Sequence, residues 1–244
     1  QARGYKSAMT IDYEASFGVA PGTKKGVVLP MNSNDLSKAQ TLIESDTITN
    51  TRNDTQPALG RVSVDGDIEM PADYMSSGYM FKALFGDPKT TGTAPNKTHV
   101  FTVKDNQPSI VVEKAFPDLN KYVRYKGVKI NTFSVDFGQD NEMTFKFGVM
   151  GASREQDGTA YDSAAKASKL LRIAQNHAYV KIDGTESRIV KEGSLEINAN
   201  LDGDQYVVGG GGLRGDIPEG LMKVSGSLKA LFTSTEWMDK ADTG

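Results

Sequence analysis

The chain has 244 residues, no cysteine, and 28 Lys and Arg against 31 Asp and Glu, for a net charge of -3. That length can bury a real core, the missing cysteines exclude disulfides, thiolate nucleophiles and cysteine zinc sites, and the charge balance argues against a dedicated nucleic-acid binder with its basic patch. No apolar run is long enough to span a bilayer, and residues 1–10 lack the apolar core of a signal peptide. The expectation is a soluble, cytosol-like compartment, or export by a route that needs no signal peptide, and no membrane anchor.

Residues 1–25 are Gly-rich and weakly patterned, with Tyr5, Tyr13 and Phe17 spaced along them, and read as an arm plus a short strand. Residues 26–31 are a brief apolar run, and 41–52 are extended but polar. Then comes Gly60-Arg61-Val62-Ser63-Val64-Asp65-Gly66-Asp67-Ile68, a pattern written again as Gly220-Leu221-Met222-Lys223-Val224-Ser225-Gly226-Ser227-Leu228. Apolar residues at alternate positions mark a strand with one buried face. A glycine inside such a strand marks a bulge, a bend or a close backbone approach. The recurrence points to two related half-sheets, roughly 26–115 and 122–232, within one 1–244 domain.

Residues 74–85 change period and suit a short helix, with Gly86-Asp87-Pro88 as its stop. Residues 87–97 are rich in Thr, Gly and Pro and read as a long exposed loop, uncommon in a compact domain unless it has a task. Residues 99–103 and 109–114 read as strands. Residues 128–137 and 142–150 read as a hairpin, with a slipped phase between Ile130 and Phe133 that predicts a bulge. Residues 154–159 read as a polar linker, and 160–174 carry the one other helical composition. Residues 179–182 and 187–201 return to strands, and Ser134-Val135-Asp136-Phe137 matches Ser194-Leu195-Glu196-Ile197 in pattern. A glycine-rich loop, 209–215, leads into the second copy of the motif.

Motifs that carry chemistry fail on inspection. His99 and His177 have no His or Cys near them in sequence, so no metal site is expected. Asp202-Gly203-Asp204 starts like a calcium loop but puts Val207 and Leu213 where the glycine and the bidentate glutamate belong. Gly210-Gly211-Gly212-Leu213-Arg214-Gly215 satisfies G-x-G-x-x-G, yet Pro218 follows where a helix must start, so it reads as a flexible loop with no cofactor. Asn53-Asp54-Thr55 and Asn96-Lys97-Thr98 are chance sequons. Asp65, Asp67 and Glu69 could in principle supply an acid–base pair. With Arg61 and Ser63 they read more simply as the solvated face of a strand.

In order along the chain, several stretches resemble bacteriophage tail tube proteins of the long, non-contractile type. They are Asp12-Tyr13-Glu14-Ala15-Ser16-Phe17-Gly18, then Leu29-Pro30-Met31-Asn32-Ser33-Asn34-Asp35-Leu36. Ile43 through Arg52 then runs on to the first motif copy, followed by Tyr125-Lys126-Gly127-Val128-Lys129-Ile130 and Val224-Ser225-Gly226-Ser227-Leu228. The resemblance implies an all-β, sandwich-like tube fold with one flanking helix and no enzymatic activity. It implies hexameric rings whose inner strands join into an inter-subunit barrel, stacked into a virion tail tube that carries double-stranded DNA to the host without binding it. Tape-measure, tail-tip and terminator proteins are the implied partners, with assembly in the host cytoplasm. Mild acidity fits a conduit, since a basic lumen would hold phosphates.

On this reading Arg61, Asp65, Asp67 and Glu69, or Lys223, Ser225, Ser227 and Lys229, include lumen-facing side chains. Contacts between copies are expected at the arm (Tyr5, Tyr13, Phe17), at loop 87–97 (Asp87, Pro88, Lys89, Pro95, Lys97) and at the tail 233–244 with Trp237. Alternatives left open are a carbohydrate-binding β-sandwich, a glycoside hydrolase, and the tube of a contractile or type VI-like system.

Overall fold

Alternation of apolar and polar residues is realised as β-structure throughout. The computed structural model describes residues 3–138, 140–177, 179–182 and 184–232. Its strands begin with β1 (Ala8–Tyr13), β2 (Val27–Leu29), β3 (Ser33–Asn34), β4 (Ser37–Ile43), β5 (Ala58–Pro71), β6 (Lys89–Thr93), β7 (Asn96–Val100) and β8 (Ile110–Phe116). They continue as β9 (Lys121–Phe137), β10 (Thr144–Gly151), β11 (Ser153–Asp157), β12 (Lys166–Ala167), β13 (Val180–Ile182), β14 (Thr185–Ser187), β15 (Val190–Asn198) and β16 (Lys223–Ala230). The one α-helix among the described residues is α1 (Ser77–Phe85), so the class is all-β.

Twelve of these strands form one sheet that folds at β9. The first half of β9 pairs with β8 and β11, and the sheet continues through β1, β2 and β12. The second half pairs with β10 and β15, giving a second lobe in the order β16–β15–β9–β10–β5–β4, with β3 also on β5. Gly127 stands at the turn between the lobes with φ +64; a Cβ there would sit 2.9 Å from Ala152 Cβ and from the Phe17 ring. Only glycine tolerates that combination. The expected bulge is present: Gly148 faces Thr132 while Val149 faces Ile130, which leaves Asn131 as the extra residue.

The lobes pack face to face. Met9, Ile11, Ile110 and Val112 of the first meet Val64, Ile68, Phe145 and Phe147 of the second, all buried. Helix α1 adds Met80, Ala83 and Leu84, and its Phe81 lies edge-on to Phe133 at 5.3 Å between ring centroids. Each large apolar side chain so buried contributes about 1.5–3 kcal/mol before conformational entropy is subtracted.

Four local expectations need amendment. The helical composition of 160–174 forms no helix. Its backbone is drawn out instead, Ser168 N–H donating to Val28 O (2.9 Å) and Ile173 N–H to Ala72 O (2.8 Å), and these tertiary bonds override a weak propensity. The polar linker 154–159 is mostly strand β11, polar because it lies along the edge of the first lobe. Segment 87–97 is exposed but not irregular: β6 and β7 pair along it as a two-stranded ribbon. Within 1–25, β1 is an inner strand between β2 and β8, with Met9 and Ile11 in the core.

Candidate functional site

The first motif copy lies on β5, where burial alternates as read: Val62, Val64, Ile68 and Met70 face the core, and Arg61, Ser63, Asp65, Asp67 and Glu69 face the other way. Its Gly66 is required by close approach, because a Cβ would come 2.6 Å from Leu36 Cα. The second copy lies on β16, at the edge of the same lobe. Register carries the polar face across the sheet: Glu196 pairs with Ser134 of β9 and with Ser225 of β16, and Ser194 with Asp136 and Ser227. Lys223 opposite Asn198 and Lys229 opposite Glu192 fall on this face too. Both sets of lumen candidates therefore share one surface.

That surface is largely self-neutralising. Lys146 Nζ lies 2.8 Å from Asp67 Oδ2, and the carboxylate beside it holds the ammonium above its ordinary pKa. Lys229 Nζ lies 2.6 Å from Glu192 Oε1 and holds that carboxyl below its ordinary value. Arg61 stacks its guanidinium on the Tyr206 ring at 4.7 Å. Asp65 accepts from Arg214 (Nη1 to Oδ1, 3.0 Å), a residue that sequence reasoning passed over inside a glycine-rich loop. The loop is anchored rather than free-standing: Val62 N–H donates to Gly212 O at 2.8 Å, where β5 has run past the end of β10. With Lys146 and Lys229 paired, Glu69, Asp136 and Glu196 stand against Lys223 and the Tyr206-stacked Arg61 and leave the face mildly acidic.

The two copies differ most in burial. Every residue of β16 is exposed, including Val224 at 64% and Leu228 at 52%. These side chains share the core-side face with Leu195 and Ile197 of β15, but the first lobe does not extend over them. The opposite edge, β4, is exposed as well, with Leu42 and Ile43 open at its end.

Several expected contact residues gather in a second place. Tyr13, Tyr74, Met75, Tyr79, Lys82, Pro88, His99 and Phe101 line a groove of about 340 Å³ between α1 and the β6–β7 ribbon. Tyr13 donates its phenol to Tyr79 O (2.7 Å), and burial pushes that phenol's pKa up. Lys82 lies over the Tyr13 ring at 4.3 Å and pairs with Asp87 at 2.7 Å. Lys89, Pro95 and Lys97 are exposed along the ribbon. Tyr5 is exposed elsewhere, whereas Phe17 is half-buried near Lys129. Trp237 and the tail 233–244 lie outside the described residues.

Among the described residues, no group of three or more His, Cys, Asp or Glu is placed to hold a metal ion, and no helix is long and apolar enough to cross a membrane. His99 is bonded across the ribbon to Thr90 (2.8 Å). The chain matches no curated protein. A family model described as phage tail tube protein matches residues 4–244.

Proposed function

The chain belongs to the phage tail tube protein family, a structural family of the virion tail, and we propose that it is the wall subunit of a long, non-contractile tail tube. Six copies close a ring, rings stack, and the tube guides double-stranded DNA to the host. The subunits assemble in the host cytoplasm around a tape-measure protein, between tip and terminator proteins.

The observation that carries this reading is the edge strand β16. Its counterpart in the first copy, β5, has neighbours on both sides, whereas among the described residues β16 has β15 alone and exposes its apolar residues. A long edge with open apolar side chains is a template for another chain. The other edge of the lobe, β4, has the right sense to meet it. Successive antiparallel pairings make β16 and β5 run the same way and β4 the opposite way. Rotation about a ring axis along the strands preserves those senses, so β16 of one copy meets β4 of the next antiparallel, and the alternation continues around the ring.

Six strands fall short of the roughly 16–18 at which a barrel opens an aqueous channel, so the conduit must be a ring of chains. In such a ring the first lobe covers one face of the wall, and the acidic, self-paired face lines the lumen.

Negative-stain microscopy of the purified full-length chain tests the reading. Six-fold rings or hollow filaments are expected. Monodisperse monomers persisting at high concentration would overturn it.

A further inference from the structure

Resting on the ring-and-tube reading, we propose that loop 44–57 of one ring docks in the groove between α1 and the β6–β7 ribbon of a second copy in the adjacent ring, with Ile48 as its anchor. The loop joins β4 to β5 and leaves the second lobe at the end where β5 begins. Helix α1 follows Pro71, at the end where β5 finishes. Stacking rings head to tail along the strand direction places the first end of each subunit against the second end of the next.

The two surfaces complement each other in shape and in charge. Every loop residue but Thr55 is exposed, and Ile48 is 95% exposed, an apolar knob that no described residue of its own chain covers. The groove offers an open apolar wall of Tyr74 and Met75, respectively 61% and 51% exposed, backed by Tyr79 and Phe101. Methionine and tyrosine at such a site give adaptable and anchoring contact area. The loop carries Glu44, Asp46 and Asp54 against Arg52, and the groove carries Lys82 in its lining, Lys89 next to Pro88 of that lining and Lys104 donating to Asp87 O, against Asp87. Fourteen residues separate Ile43 from Ala58, so half the loop can extend roughly 23 Å from the sheet, enough to cross a ring boundary.

Because the native chain lacks cysteine, paired cysteines make a clean test. Ile48→Cys with Met75→Cys, assembled and then oxidised, is expected to give a ladder of covalent multimers, while either single variant stays monomeric on a denaturing gel. Ile48→Glu is expected to form rings that do not stack, with an unchanged urea midpoint. Full-length tubes from Ile48→Glu, or double-cysteine tubes without cross-links, overturn the docking but leave the tube reading standing. Failure of the unmodified chain to form rings at all overturns both.

Discussion

Arg214 directs its whole guanidinium into the protein. Nε donates to Gly203 O (2.7 Å), Nη1 to Val64 O (3.1 Å) and Gly151 O (2.9 Å), and both Nη atoms reach Asp65. It fills the corner left where β10 stops and β5 goes on. Arg214→Ala leaves buried carbonyls unpaired and should cost about 2–3 kcal/mol, read as a lowered urea midpoint. Arg214→Lys should restore only part, since an ammonium cannot reproduce the planar fork. A loss below about 0.5 kcal/mol would show the corner to be filled by something else.

Asp73 does comparable work at the other end of β5, accepting from Ser76 N–H (2.7 Å), Ser76 Oγ and Leu171 N–H. Burial acts to raise its pKa, but these donors outweigh burial and hold the carboxyl below its ordinary value. Its contribution is therefore complete above the unfolded pKa, roughly 3.9, and is lost as pH falls through the lower folded value. Asp73→Asn should lower the urea midpoint at pH 7 and flatten its fall below about pH 4. A variant with the same acid limb as the parent would refute the assignment. Neither role was legible in sequence, because Arg214 acts on segments far along the chain and Asp73 ties its local turn at Ser76 to the distant Leu171.

Among the elements, what could be read locally was read. The alternation of β5, the helix ended by Gly86 and the bulge in β9 depend on side chains within one strand or turn, and all three are present. The second motif copy shows where such reading stops. Its alternation is as clear as the first, yet Val224 and Leu228 are exposed, because burial depends on which layer covers a strand and not on the strand's pattern. Likewise 160–174 has helical composition but is held extended by carbonyls of β2 and of Ala72. The exposed apolar face of β16 is best explained by a neighbour. Val224→Lys with Leu228→Lys should change the monomer's stability by no more than about 0.5 kcal/mol, while abolishing rings in size-exclusion chromatography and microscopy. Rings of normal size from this variant would exclude β16 from the subunit seam.

At the scale of the whole molecule, both candidate lumen sets share one face because two copies of one pattern run the same way in one lobe. On the proposed reading, pairing Lys146 with Asp67 and Lys229 with Glu192 neutralises two of the cations a passing phosphate could use, and Glu69, Asp136 and Glu196 outnumber the remaining Lys223 and Arg61. A wall of the opposite sign would release counterions on DNA contact and hold the duplex, with an affinity that falls steeply as salt rises. Tubes of the triple variant Glu69→Lys, Asp136→Lys, Glu196→Lys should therefore co-sediment short duplex DNA at 50 mM salt and lose most of it by 200 mM. Unmodified tubes should leave it in the supernatant at both. Asp136 and Glu196 are exposed and Glu69 is half-buried on the same polar face, so the variant should still fold and assemble. If its tubes pelleted no more DNA than the parent, this face would not line the channel, and the wall would have to be turned the other way. That outcome would put the first lobe inside, where its buried Glu113–Arg124 pair, 2.8 Å apart and 2% and 10% exposed, has little charge to offer a passing duplex.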